Sequence, residues 1–267
     1  MDLTTVLYDV GDDVATITLN RPDARNAATF EMEHELNHCF ATADADPAVG
    51  CIVLTGAGKG FCSGDDVAKA WGDPRMEETL AELGGPNPPV TPLVTAMLAC
   101  DTPTLAAVNG AAVGIGMDMA LLCDLRIASE YAKFAQLFVK LGLVCDVTGL
   151  WLLPQIVGRA RATELLLSGE MIDATEAERI GLVSRVVPAD DLLPAAYEIA
   201  RSIAANPPLA VRAIKQGLRL AAGRTCDELP ELARFVGHNL SNLFTTADHQ
   251  EAVAAFVERR AARFTGQ

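Results

Sequence analysis

The sequence predicts an α/β fold that closes in an all-helical end, and three observations carry that reading. Two short apolar runs, 51–55 and 104–108, read as strands, and each leads through glycine into a stretch of helical character. Residues 6–8 and 14–19 flank Gly11-Asp12-Asp13 in the pattern of a hairpin. From Asp190 onward the apolar spacing is helical throughout, in segments 192–204, 209–221, 229–243 and 246–260.

Between these landmarks the elements follow in order. A helix is expected over about 29–43, with Leu36, Phe40 and Ala43 on one face. The strand 51–55 enters a first glycine turn, Phe61-Cys62-Ser63-Gly64-Asp65-Asp66-Val67. Residues 72–92 hold five prolines and three glycines, which predicts a loop with some helix at 77–83. Such a loop either covers a binding pocket or is a disordered connector. The strand 104–108 enters a second turn, Val108-Asn109-Gly110-Ala111-Ala112-Val113-Gly114-Ile115-Gly116, followed by a buried helix over 116–123 and a strand over 124–128. The expected division is a core over residues 1–200 and a helical module over 201–267. The sequence shows no internal repeat.

Composition narrows the function. With 267 residues, half of them hydrophobic and 21% charged, the chain can bury a sizeable core. A net charge of −14 argues against nucleic-acid binding, which needs clustered Lys and Arg to neutralise phosphates. Cys51, Cys100 and Cys123 lie in apolar runs and no Cys-x-x-Cys pair occurs, which suits reduced thiols in a cytosol. No signal peptide is read at the start, and the apolar stretch 111–123 is broken by Asp118 and too short to span a bilayer. A soluble, cytoplasmic protein with no membrane partner is expected.

Both glycine turns leave backbone N–H groups unpaired at a helix start, where the helix dipole favours negative charge. Two of them converging would make an oxyanion hole, the device that stabilises an enolate or a tetrahedral oxyanion. Other motifs fail. His34-Glu35-Leu36-Asn37-His38 matches the zinc-peptidase string, but stepping 100° per residue puts both histidines opposite the apolar face. No metal site is therefore expected. Gly56-Ala57-Gly58-Lys59-Gly60 lacks P-loop spacing, Gly110 to Gly116 lacks the acidic residue of a dinucleotide fold, and Ser63 is in no nucleophile elbow.

The ordered pair of turns resembles the crotonase family, the enoyl-CoA hydratase/isomerase superfamily. The resemblance also takes in Leu19-Asn20-Arg21-Pro22 with Asn26-Ala27, then Cys123-Asp124-Leu125-Arg126-Ile127-Ala128. It goes on through Lys133-Phe134, Gly142-Leu143, Gly158-Arg159-Ala160 and Gly181-Leu182-Val183 to Phe256-Val257-Glu258-Arg259-Arg260. It implies a spiral of ββα turns with a C-terminal helical oligomerisation module that builds trimers, often paired as hexamers. It also implies stabilisation of a thioester-derived oxyanion of an acyl-CoA. CoA is then part of the substrate, and no separate cofactor is expected. Matching the turns residue by residue places the oxyanion donors at the backbone N–H groups of Asp65 and Ile115. A side-chain carboxylate at 65 must then point away from the oxyanion. The alternative for Gly64-Asp65-Asp66 is a plain turn in which Asp66 caps a short helix.

Phe138-x-Lys140-Leu141-Gly142-Leu143-x-x-Asp146, followed by Trp151-Leu152-Leu153-Pro154, is most similar to ring-epoxide phenylacetyl-CoA isomerases. In that branch the aspartate moves protons, so Asp146 is the first candidate for acid/base work. Its alternative is an N-cap, and the two are compatible. Asp118 stands where hydratases of the family place the first of two glutamates, or is held there simply by the helix dipole. Phe138 fills the position of the second glutamate, which makes two-glutamate hydration doubtful and favours isomerisation through an enolate. Phe138 and Trp151 are candidate acyl-pocket residues. An anionic CoA needs a local basic patch on so acidic a chain. Arg21, Arg25 and Lys59 are candidates, with solvated surface charge as the alternative. The resemblance also implies that Phe256 and Arg259 or Arg260 border a neighbouring subunit's CoA site. The rival readings are an enoyl-CoA hydratase using Asp118 and Asp146, and a CoA-binding scaffold without chemistry.

Overall fold

The computed structural model describes residues 1–70, 91–223 and 225–267. The expected helix at 77–83 and most of the covering loop lie outside them. The first hairpin forms from β1 (Val6–Gly11) and β2 (Val14–Leu19), antiparallel in register from Val6 opposite Leu19 to Gly11 opposite Val14. Asp12 and Asp13 turn the chain at φ 52° and 60°, the left-handed pair that matches strand twist in a two-residue hairpin. Helix α1 (Phe30–Ala45) begins at an N-cap in which Thr29 accepts from the Met32 N–H at 3.3 Å. It buries Met32, Leu36, Cys39, Phe40 and Ala43 in the core and leaves His34 and His38 exposed, as the periodicity requires.

The chain then alternates between two sheets. Strand β3 (Cys51–Gly56) joins β2 in parallel, and β4 (Gly60–Cys62) opens a second sheet before the short helix α2 (Val67–Ala70). After helix α3 (Pro92–Ala99), β5 (Thr104–Val108) adds to the first sheet and β6 (Ala111–Val113) to the second, and helix α4 (Ile115–Leu122) follows. Strands β7 (Leu125–Ser129) and β8 (Lys133–Ala135) repeat the step. Two short strands, β9 (Ile172–Asp173) and β10 (Val186–Val187), close the sheets in the orders β1-β2-β3-β5-β7-β10 and β4-β6-β8-β9. Each strand–strand–helix turn is one step of the expected ββα spiral. Close packing of those steps requires a missing side chain at Gly116, where a Cβ would lie 2.3 Å from the Cys62 carbonyl oxygen.

A one-turn 3-10 helix (Leu137–Leu141) leads to α5 (Val147–Val157), α6 (Arg159–Ser168) and α7 (Ala174–Arg179). The helical end comprises α8 (Leu192–Ala204), α9 (Pro208–Ala221), α10 (Leu229–Leu243) and α11 (Ala247–Glu258). Residues 200 and 201 both lie inside α8, which buries Leu192, Ala196 and Ala200 against Val53, Leu105 and Ile127 of the first sheet. Helix α9 is tied to the segment between α3 and β5. There the Lys215 ammonium donates to the Thr102 carbonyl at 2.8 Å and pairs with Asp124 at 2.7 Å. Helix α10 buries no residue and exposes Leu229, Val236 and Leu240. Among the described residues, no helix is long and apolar enough to cross a membrane. Cys51, Cys100 and Cys123 are buried free thiols, each pushed up to about 12 by burial.

Candidate active site

Two glycines in left-handed territory bring the turns together. Gly64 has φ +105° and Gly114 φ +53°, angles that a side chain would strain. A Cβ built on Gly114 would stand 4.0 Å from the Gly64 Cα and 3.6 Å from the Phe138 ring. The two turns therefore touch, with Phe138 against them. The first is held from outside. The Ala28 N–H donates to the Gly64 carbonyl and the Asp66 N–H to the Ala28 carbonyl, both at 2.8 Å, and Arg21 pairs with Asp66 at 2.7 Å. The second is held by the Gly114 N–H donating to the Ala135 carbonyl at 2.9 Å. The residues that follow are Asp65 and Ile115, the latter opening α4 without a side-chain cap. Among the described residues, neither backbone N–H donates to another residue.

Desolvation raises the pKa of Asp65, against the lowering effect of its own backbone N–H, and the charge of Asp146 adds to the rise.

Asp118 lies in the first turn of α4, 1% exposed. Its Oδ1 accepts from Gln136 Nε2 at 2.8 Å, while its Oδ2 has no partner in the protein. Burial pushes its pKa up to about 8, with Asp146 adding to the rise and the Gln136 donor opposing it. Near pH 7 the group is a neutral acid. Asp146 is half-buried and serves as the N-cap of α5, its Oδ1 accepting from the Val147 N–H at 2.5 Å. Its charge adds to the raised pKa of Asp118, Asp65 and Glu33. Trp151, one turn further along α5, is 47% exposed.

The other candidates divide. Arg25 and Lys59 are exposed, and a Cβ on Gly60 would lie 3.7 Å from the Arg25 Cβ. Arg21 is committed inward, to Asp66 and to the Ala27 carbonyl. Arg260 is held by Glu251 and Glu258, and Phe256 on α11 is 86% exposed. Among the described residues, no hydrogen bond or ion pair links these last two to the cleft.

Two residues of the site are not singled out by the sequence. Gln136 is a polar residue inside the apolar string Phe134 to Phe138, 2% exposed, and that contrast was its available signal. Glu33 sits among the acidic residues of α1 that a sequence reads as a solvated face. In the fold it is half-buried, and its pKa is raised to about 7 by desolvation, then by the charges of Asp65 and Asp146.

Two touching glycine turns between the sheets, with the buried acid Asp118 beside unpaired N–H groups, define an enzyme of the ββα-spiral class. The chain belongs to the enoyl-CoA hydratase/isomerase family, the crotonase superfamily, whose model matches residues 9–267. It is 36% identical over 270 residues to a 1,2-epoxyphenylacetyl-CoA isomerase of Escherichia coli, covering 98% of each chain. A probable enoyl-CoA hydratase of Mycobacterium bovis is 37% identical over 269 residues, covering 99% of each. The crystal structure of an enoyl-CoA hydratase from Bacillus anthracis superposes with a TM-score of 0.90 at 30% identity, covering 99% of this chain and 100% of that one.

Proposed function

We propose that this enzyme is an acyl-CoA isomerase that shifts a double bond, or rearranges a ring epoxide, through a thioester enolate. The named relatives include both an isomerase and hydratases, so the site carries the choice. The deciding observation is Phe138, whose ring packs on Gly114 beside the free N–H groups. Hydration needs one group to activate water and a second to manage the α-proton. Phenylalanine supplies neither function, and Asp118 is already protonated near neutral pH.

In this reading the thioester oxygen takes the N–H groups of Asp65 and Ile115, with the Asp65 carboxylate turned away from it. The Asp146 carboxylate removes a proton from carbon. That C–H bond breaks, an O–H bond forms on Asp146, and the electron pair moves into a dienolate whose charge rests on the thioester oxygen. Asp146 then returns the proton to a different carbon, so the balance closes with no added reactant. Asp118, neutral and held by Gln136, adds no negative charge opposite the enolate. CoA enters as part of the substrate, its phosphates nearest Arg25 and Lys59. The buried reduced thiols support a cytosolic setting.

The test is Asp146→Asn, which keeps size and capping ability but cannot carry a proton. Isomerisation of a 3-enoyl-CoA should fall by about a hundredfold or more, with acyl-CoA binding nearly unchanged. Near wild-type turnover in that variant, together with loss in Asp118→Asn, would move the relay to Asp118.

A further inference from the structure

Helix α5 carries Asp146 at its cap and rests on the buried acid Asp118 through a residue with no side chain. It buries Thr148, Gly149 and Leu153, while Val147, Leu150 and Trp151 are exposed, so Gly149 lies on the face turned inward, where α5 packs on α4. A Cβ built on Gly149 would stand 3.2 Å from Gln136 Nε2, 3.4 Å from Asp118 Oδ1 and 3.5 Å from Cys145 Sγ. The first two of those atoms are the donor and acceptor of the 2.8 Å hydrogen bond that holds Asp118. The bare backbone at 149 therefore lies directly against that bond.

We propose that Gly149 is a positioning residue of the isomerase: its missing side chain seats α5 on the Asp118–Gln136 pair and so fixes where Asp146 stands relative to that pair. The proposal rests on the isomerase reading and adds to it a residue with no reacting group of its own.

Three elements meet at this point. Asp118 comes from the first turn of α4, Gln136 directly follows β8, and Gly149 belongs to the first turn of α5. Asp118 and Gln136 are 1% and 2% exposed, so neither has open solvent to retreat into. Asp146 is tied to the turn that contains Gly149. Its carbonyl accepts from the Leu150 N–H at 3.2 Å and its Oδ1 from the Val147 N–H at 2.5 Å. A methyl group at 149 would stand closer to the Gln136 amide than the optimal separation of non-bonded atoms. Two movements relieve that crowding. Either α5 lifts off α4 and carries the Asp146 cap with it, or the Gln136 amide turns aside and gives up its bond to Asp118. Both end on an acid of the site. Neither weakens the helix, because alanine is the better helix former. A glycine that served packing alone would behave differently, since crowding it would lower stability together with activity.

The experiment compares wild type with Gly149→Ala in steady-state turnover of a 3-enoyl-CoA, with Tm measured on the same samples. kcat should fall by about tenfold, less than the roughly hundredfold cost of a full ångström of misplacement, with KM within about twofold and Tm no lower. Turnover at the wild-type rate overturns the proposal, as does a loss of kcat that comes with a lowered Tm. Gln136→Ala supplies a second arm, because it removes the amide that the new methyl group would crowd. In that background Gly149→Ala should change kcat by less than about twofold. A further loss of about tenfold there would make the two positions independent and overturn the assignment. Wild-type enzyme that hydrates a 2-enoyl-CoA and does not isomerise would sink the isomerase reading alone. The same comparison on hydration then tests Gly149: a fall in kcat at unchanged Tm supports its role, and an unchanged kcat overturns it.

Discussion

Asp118 and Glu33 hold protons that ordinary carboxyl groups release, and this ties the chemistry of the site to the stability of the fold. Both are raised, to about 8 and about 7, chiefly by desolvation. A carboxyl with a raised native pKa binds more protons folded than unfolded between its two pKa values, so stability falls as pH rises across that interval. Thermal unfolding should therefore show Tm dropping from about pH 5 to about pH 8, the interval between the ordinary and the raised values. Asp118→Asn, whose amide can accept the Gln136 donor and never ionises, should flatten that drop. A Tm that climbs over the same range would contradict the assignment of buried neutral acids. Asp65 is a different case, because its contribution to catalysis is its backbone. Asp65→Ala keeps the N–H. Activity should remain within about tenfold of wild type, whereas a loss beyond about a hundredfold, the scale of removing an oxyanion donor, would show that the side chain acts directly.

At the scale of elements, the two glycine turns were legible because backbone constraints leave residue-level marks. Only glycine tolerates the close approach at 116 and the left-handed angles at 64 and 114. Gly116→Ala would put a methyl group 2.3 Å from the Cys62 carbonyl oxygen. It should cost about 3 kcal/mol of stability, visible as a lowered midpoint in urea unfolding, and should lose activity with it. The helices of the C-terminal end were legible by the same kind of argument, since their apolar spacing is local. Glu33 was not legible, because its neighbours Glu31 and Glu35 give α1 the look of a charged face. Its neighbourhood is set by the fold, where Ala28, just before α1, pairs with the first turn. The decoy histidines His34 and His38 were read correctly, because exposure on a long helix follows from period alone.

For the whole molecule, the open question is what covers the helical end. Leu240 and Phe244 near the end of α10, and Phe256 and Val257 on α11, are 49%, 61%, 86% and 74% exposed. Apolar side chains in that number suit an interface between copies of the chain. We propose a trimer, or a pair of trimers, in which Phe256 and Arg260 border a neighbour's CoA site. Light scattering at micromolar concentration should give three or six times the mass of the 28.2 kDa chain, and a monomer mass would refute it. The account's central claim is the chemistry within one chain. The most direct measurement is turnover by wild-type enzyme at pH 6.5 on a 3-enoyl-CoA and on the 2-enoyl-CoA of the same length. The account predicts double-bond migration in the first, with hydration of the second slower by about a hundredfold or more. Hydration as fast as isomerisation would contradict it and return the site to a hydratase built on Asp118 and Asp146.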